Sequence, residues 1–423
     1  MFRKVYGHGM TSVLSTDFDF TDPDLNMERV PHDEFATLRR SQPIFWVEQA
    51  PEARAGMSDA SGSGYWAVTK HADILTVSKN SQIFSSRENG VIIRLPETAT
   101  RESVEQTQVV IINQDAPEHT QLRSIISRGF TPRAIGVLEE ALEERARRIV
   151  REAVAAGSGN FVDQVASQFP LEVIGDMLGI PVEDRQKIFD WTNQMTGAED
   201  ADLAREDNDP NAAALEVLMY SMGLAADRRE NPRDDIVTKL VNADVDGRGL
   251  TDDEFGFFVI ALAVAGNETT RNATTHGMNA FFDHPDQWEL WVKERPSTMV
   301  DEVIRWATPV TSFQRTALED IELGGVQIKA GQRVGLFYAS ANHDEDVFED
   351  PQTFNILRDP NPHLAFGGHG AHYCIGANLA RTEIRMIFDA LADYAPGITR
   401  TGDASRLRSG WLNGIKELPV KYG

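Results

Sequence analysis

A mainly α-helical fold with small peripheral β-sheets is the class this sequence predicts, and three observations point to it. Residues 252–282 form a long, almost uninterrupted apolar run, as expected of a helix buried on most sides. Arg133 to Ala155 carries apolar residues at helical spacing with charges between them. Strand signals are short and cluster at Tyr65–Val68, Ile321–Ile328, Arg333–Tyr338 and the C-terminus.

Taken in order, residues 51–64 (PEARAGMSDASGSG) are small, polar and turn-rich, and read as a surface loop. The strand Tyr65–Val68 leads into a helical pattern over His71–Lys79. A helix is expected over Pro285–Ala307, stopped by Pro309. Leu412-Asn413-Gly414-Ile415 sets Asn-Gly between apolar residues, the strongest short hairpin signal. With no internal repeat, low-complexity tract or long linker, residues 1–423 are expected to form one domain, with a flexible segment over roughly the first fifteen residues.

Lys and Arg total 41 against 65 Asp and Glu, a net charge of −24. That balance argues against nucleic acid or an anionic membrane as the main partner. A single cysteine excludes an intrachain disulfide, a zinc ribbon and a CxxC redox pair. The N-terminal residues lack the apolar stretch of a signal peptide. The most apolar segment, Phe255–Ala265, falls short of the roughly 20 residues that span a bilayer. No transmembrane segment and a cytoplasmic location are therefore expected.

The chemistry concentrates around Cys374. In Phe366-Gly-Gly-His-Gly-Ala-His372-Tyr-Cys374-Ile-Gly376, glycines at 367, 368, 370 and 376 permit tight turns and close approach to a flat ligand. Ala377–Leu391 reads as a helix, so the sulfur lies at a helix start, where free N–H groups favour thiolate. A lone cysteine is ordinarily a small buried hydrophobe; the glycine frame and the helix start reverse that reading.

This loop resembles the haem-binding signature of the cytochromes P450, with Cys374 as the axial iron ligand of haem b. The family places Phe seven residues before the cysteine, whereas Phe366 stands eight before it. Other segments resemble the family in the expected order. Ala265-Gly266-Asn267-Glu268-Thr269-Thr270 matches its oxygen-handling pattern. Gly266 and the Thr269 hydroxyl would loosen the helix into a groove for O₂, Thr269 would donate a hydrogen bond there, and Glu268 would relay protons. Glu302 and Arg305 match its E-x-x-R brace, but Thr353 stands where a third, basic partner is usual. His119 and Arg123, one turn apart, with Arg315 and His372, match its contacts to the haem propionates. The resemblance implies the mostly α triangular prism of that family.

No G-x-G-x-x-G stands between a strand and a helix, so no fused reductase is apparent. The resemblance implies electrons from a ferredoxin and its NAD(P)H-dependent reductase, with Arg128 and Arg133 beside Arg123 as a basic docking patch. Ile92 and Leu95 in Gly90–Leu95, Val264, and Trp411 should line an apolar pocket. Four strings (Phe255–Asn272, Trp306–Leu318, Thr353–His363 and Leu407–Lys416) look like the bacterial steroid side-chain monooxygenases, which oxidise the terminal methyl (C26/C27) of cholesterol or cholest-4-en-3-one. The alternatives are a branched fatty acid or terpenoid as substrate, direct use of peroxide, and a non-catalytic haem sensor. The Glu268-Thr269 pair argues against direct peroxide use.

Overall fold

The computed structural model describes residues 14–197, 199–200, 202–203, 210–233, 235–243 and 249–423. Most of the flexible N-terminal segment expected from sequence lies outside these residues.

The long apolar run forms a single helix, Asp252–Asp283. It starts where Thr251 and Glu254 cap each other reciprocally: Glu254 N–H donates to Thr251 Oγ1 at 3.1 Å and Thr251 N–H to Glu254 Oε2 at 3.0 Å. The helices Pro210–Glu230, Gln168–Met177, Met299–Ala307 and Ala377–Tyr394 pack around it, which is why its apolar residues are not confined to one face. The helices over His71–Lys79 and Ala377–Tyr394 begin where the sequence indicated.

Two expected helices are broken. Pro285–Ala307 divides into Pro285–Glu294 and Met299–Ala307. Arg295 takes a left-handed conformation (φ 51°) and Pro296 follows it, disfavouring helix in the preceding residue. Arg133–Ala155 divides into Pro132–Gly136 and Glu139–Ala156, with Gly136 at the junction.

The main sheet has five strands: β1 (Ile44–Glu48), β2 (Gly64–Val68), β3 (Phe84–Ser85), β4 (Ser312–Ala317) and β5 (Arg333–Phe337), in the order β1-β2-β5-β4-β3. Only the β2–β5 pairing is parallel. Ile321–Ile328 is a hairpin rather than one strand, turning at Gly324-Gly325, both at positive φ. The Asn413-Gly414 turn does not form. Leu407 N–H donates to Gly414 O at 2.9 Å, so the chain reverses between them. Asn413 is instead consumed by tertiary contacts, its side chain donating to Ala307 O and accepting from Arg406 at 2.9 Å.

Glu302 and Arg305, both fully buried, form a two-pronged pair with both contacts at 2.8 Å. The third basic partner missing at Thr353 is Arg358, whose Nε donates to Glu302 Oε2 at 3.1 Å. Asn361 Nδ2 (3.0 Å) and Asn355 N–H (2.9 Å) complete five donors on one carboxylate. Arg305 also donates to the carbonyls of Asn342, Pro351 and Thr353. Removing one partner of such a network leaves a buried charge under-compensated. Arg358→Leu should therefore destabilise the protein by about 3 kcal/mol, read as a lowered urea midpoint, whereas Thr353→Ala should be nearly neutral because Thr353 contributes only its carbonyl.

Candidate haem-thiolate site

Cys374 lies in a loop held from both ends. Its N–H donates to Phe366 O at 3.0 Å, Tyr373 N–H to Gly370 O at 3.0 Å, and Gly367 N–H to Leu364 O at 2.9 Å. Gly370 lies so close to the helix His71–Lys79 that a Cβ would fall 1.7 Å from Ser78 O. His369, exposed and left-handed (φ 56°), stacks on Tyr373 at 5.2 Å. The Phe366 ring lies beneath the Arg381 guanidinium at 4.6 Å. Arg381 in turn pairs with Asp301 at 2.7 Å, on the same helix as Glu302.

The Cys374 side chain can be reached by solvent, yet burial pushes its thiol up. A group both surrounded and reachable lies on the floor of a concavity. The N–H of Gly376, Arg123 and Arg381 pull the thiol back down but do not outweigh burial. The helix begins only at Ala377, so the sulfur lies outside its first turn, and a bound cation is needed to stabilise the anion.

Four side chains from distant segments meet beside this floor. His119 is buried, and its Nε2 has no partner. Its ring packs against His372 at 4.1 Å between centroids. His372 Nε2 shares a hydrogen bond with Ser86 Oγ at 3.0 Å. Arg315, also buried, donates only to the carbonyl of Gln314, at 2.7 Å, and Arg123 to the carbonyl of Tyr373. Neither arginine has a carboxylate within ion-pair distance among the described residues. Burial lowers the pKa of all four groups, bringing His119 to about 4. Buried cations without anions are unfavourable, so this rim suits a ligand that brings its own carboxylates.

In the long helix, whose neighbouring residues are largely buried, Ala265 is exposed and Gly266 and Thr269 are partly so. Thr269 Oγ1 donates to Ala265 O, as expected of a hydroxyl competing for a helix carbonyl. The helix runs unbroken through Gly266. Gly266 admits Ile174, whose Cδ1 would lie 2.9 Å from an added Cβ. Glu268 is buried and paired with Arg271, its Oε1 unpartnered. Burial raises its pKa while Arg271 opposes the shift.

Of the expected pocket wall, Ile92, Leu95, Val264 and Trp411 are each partly exposed, whereas Val91 and Ile93 are buried. Trp411 stacks on Phe313 at 6.2 Å. Its carbonyl accepts from Thr311 N–H (2.9 Å) and Oγ1 (3.0 Å), fixing the C-terminal segment beside the strand that carries Arg315. Sequence reasoning missed Arg358, Arg381 and Gln314. Their partners lie far along the chain and no local spacing marks them.

One soft sulfur donor on a concave floor, a rim of cationic and imidazole groups without carboxylate partners among the described residues, and glycines that bring backbone close together form a donor set that fits an iron porphyrin. The cytochrome P450 family model matches residues 297–391. A steroid C26-monooxygenase of Rhodococcus jostii is 58% identical over 99% of this chain and 88% of its own length. A methyl-branched lipid omega-hydroxylase of Mycobacterium tuberculosis is 43% identical over 96% of this chain and 94% of its own. Among solved structures, a Mycobacterium marinum cytochrome P450 in complex with pseudoionone superposes with a TM-score of 0.88 at 37% identity, covering 97% of this chain and 100% of that one. The fold, the cysteine loop and these relatives agree: the chain belongs to the cytochrome P450 family and is a haem b monooxygenase.

Proposed function

We propose that this protein hydroxylates the terminal methyl (C26/C27) of a steroid side chain and carries the product to a higher oxidation level. The observation carrying this reading is the 58% identity to steroid C26-monooxygenases over nearly the whole chain, against 43% to a methyl-branched lipid omega-hydroxylase. The lipid hydroxylase keeps a branched fatty acid as the second reading, because both substrates present a methyl at the end of a branched chain.

When bound, haem b supplies thiolate-ligated iron that activates O₂ for insertion into a C–H bond. Cys374 would hold the iron through its sulfur, and His119, Arg123, Arg315 and His372 would hold the propionates. Glu268, one of whose carboxylate oxygens has no partner among the described residues, relays protons toward Thr269. The Thr269 hydroxyl, donating to Ala265 O at rest, rotates to present its proton to the concavity. A terminal methyl is less reactive than an internal tertiary C–H, so the pocket must select it by position: Ile92, Leu95, Val264 and Trp411 admit the side chain end-on. The whole chain acts as one haem domain in the cytoplasm. Among the described residues no helix is long and apolar enough to cross a membrane. Electrons come from a ferredoxin and its NAD(P)H-dependent reductase, docking where Arg128 and Arg133 are exposed.

An absorbance titration of the ferric protein with cholest-4-en-3-one should shift the Soret band to high spin at micromolar steroid. A shift with a branched fatty acid alone would transfer the assignment to that substrate. Thr269→Ala should reduce product formed per electron consumed by roughly 10- to 100-fold, measured as hydroxylated steroid per NAD(P)H; unchanged coupling removes Thr269 from the proton path. Arg128→Glu should slow reduction by ferredoxin at low ionic strength and converge with the parent protein at high salt, and stopped-flow traces identical at every salt concentration would refute this docking site.

A further inference from the structure

Gln314 lies in β4 immediately before Arg315 and is wholly buried. Its side-chain amide nitrogen donates to three carbonyls of one short segment: Asn89 O at 3.2 Å, Gly90 O at 3.3 Å and Ile92 O at 2.9 Å. Its amide oxygen accepts from Arg333 Nη1 at 3.3 Å, which settles the orientation of the amide. Its backbone N–H donates to Val91 O at 2.7 Å. Carbonyls along an extended chain alternate in direction, so three from residues 89–92 meet on one amide only because the segment curls around it. Gly90 permits the curl with a φ of 68°.

The same segment is held from other sides. Asn113 Oδ1 accepts from Val91 N–H at 3.0 Å, Arg333 donates to Ile93 O at 3.0 Å, and Asn89 Nδ2 donates to Thr316 Oγ1 at 3.0 Å. Val91 and Ile93 are thereby buried and Ile92 is left partly exposed between them. The next residue in the strand reaches the cationic rim, and Arg315 Nη1 donates back to the Gln314 carbonyl at 2.7 Å.

We propose that Gln314 is a positioning residue that sets the substrate wall, binding the Gly90–Leu95 segment to the strand whose next side chain holds the haem edge. Gln314 touches neither steroid nor haem; it fixes how far Ile92 and Leu95 stand from the reacting position, and so which carbon is presented. The inference rests on the reading of Gly90–Leu95 as part of the pocket.

The test uses full-length holoenzyme carrying Gln314→Leu, Gln314→Glu, Asn113→Ala or Ile92→Ala. The readouts are the Kd for cholest-4-en-3-one from the Soret shift, the ratio of terminal-methyl to other hydroxylated products, and thermal stability. Gln314→Leu and Gln314→Glu both delete the donors to the three carbonyls, and the glutamate keeps an acceptor for Arg333. Each should weaken steroid binding by about tenfold or more and move hydroxylation away from the terminal methyl. Asn113→Ala, which releases the same segment at another point, should act in the same direction and serves if Gln314→Leu does not fold. If Ile92→Ala changes binding while the Gln314 and Asn113 variants keep Kd within about twofold and the product ratio intact, the role of Gln314 is refuted, whatever happens to the melting temperature. If Ile92→Ala also leaves both readouts unchanged, the segment is not the wall and the reading beneath the proposal fails with it.

Discussion

Both oxygens of the Glu302 carboxylate, fully enclosed, are bonded by Arg305, Arg358, Asn355 and Asn361. A carboxylate in that position is tolerable only while every donor is present, so the pieces supplying them must arrive together. Those pieces are the helix Met299–Ala307 and residues 351–361, the stretch leading into the cysteine loop. Asp301 on the same helix reaches Arg381 beyond the loop, and Arg381 covers Phe366 within it. Position is thus passed from a buried ion pair to the sulfur through side chains whose geometry is directional. Apolar packing alone would leave that loop free to slide.

The rim of the site follows the opposite electrostatic rule. Glu302 is over-supplied with donors; among the described residues Arg123 and Arg315 donate only to carbonyls, and His119 keeps an unpartnered nitrogen. One set of charges stabilises the protein by being satisfied within it. The other stays unsatisfied within the chain and turns that deficit into affinity for a carboxylated cofactor. The sulfur obeys the same logic, since burial opposes its anion until a cation is present.

Elements governed by neighbours in sequence were legible. The long helix is set by local periodicity and its Thr251–Glu254 cap, the helices before Asn80 and after Gly376 by periodicity alone, and the cysteine loop by a short dense motif. Pro296 broke an expected helix because one residue's conformation outweighed a convincing apolar pattern on either side. Asn413-Gly414 failed as a turn because Ala307, Pro309 and Arg406, all remote, had stronger claims on Asn413. Arg358 and Gln314 were invisible for the same reason: their partners are fixed by tertiary folding, and a single arginine or glutamine has no spacing to betray it.

The contact between Gly370 and the Ser78 carbonyl leaves no room for a side chain, so the loop carrying the ligand and the end of the helix His71–Lys79 form one rigid piece at that point. His369, just before this pinch, is exposed to solvent. A loop transplanted from a relative should therefore keep glycine at 370, because any side chain there would meet the Ser78 carbonyl and push the ligand-bearing loop off the helix.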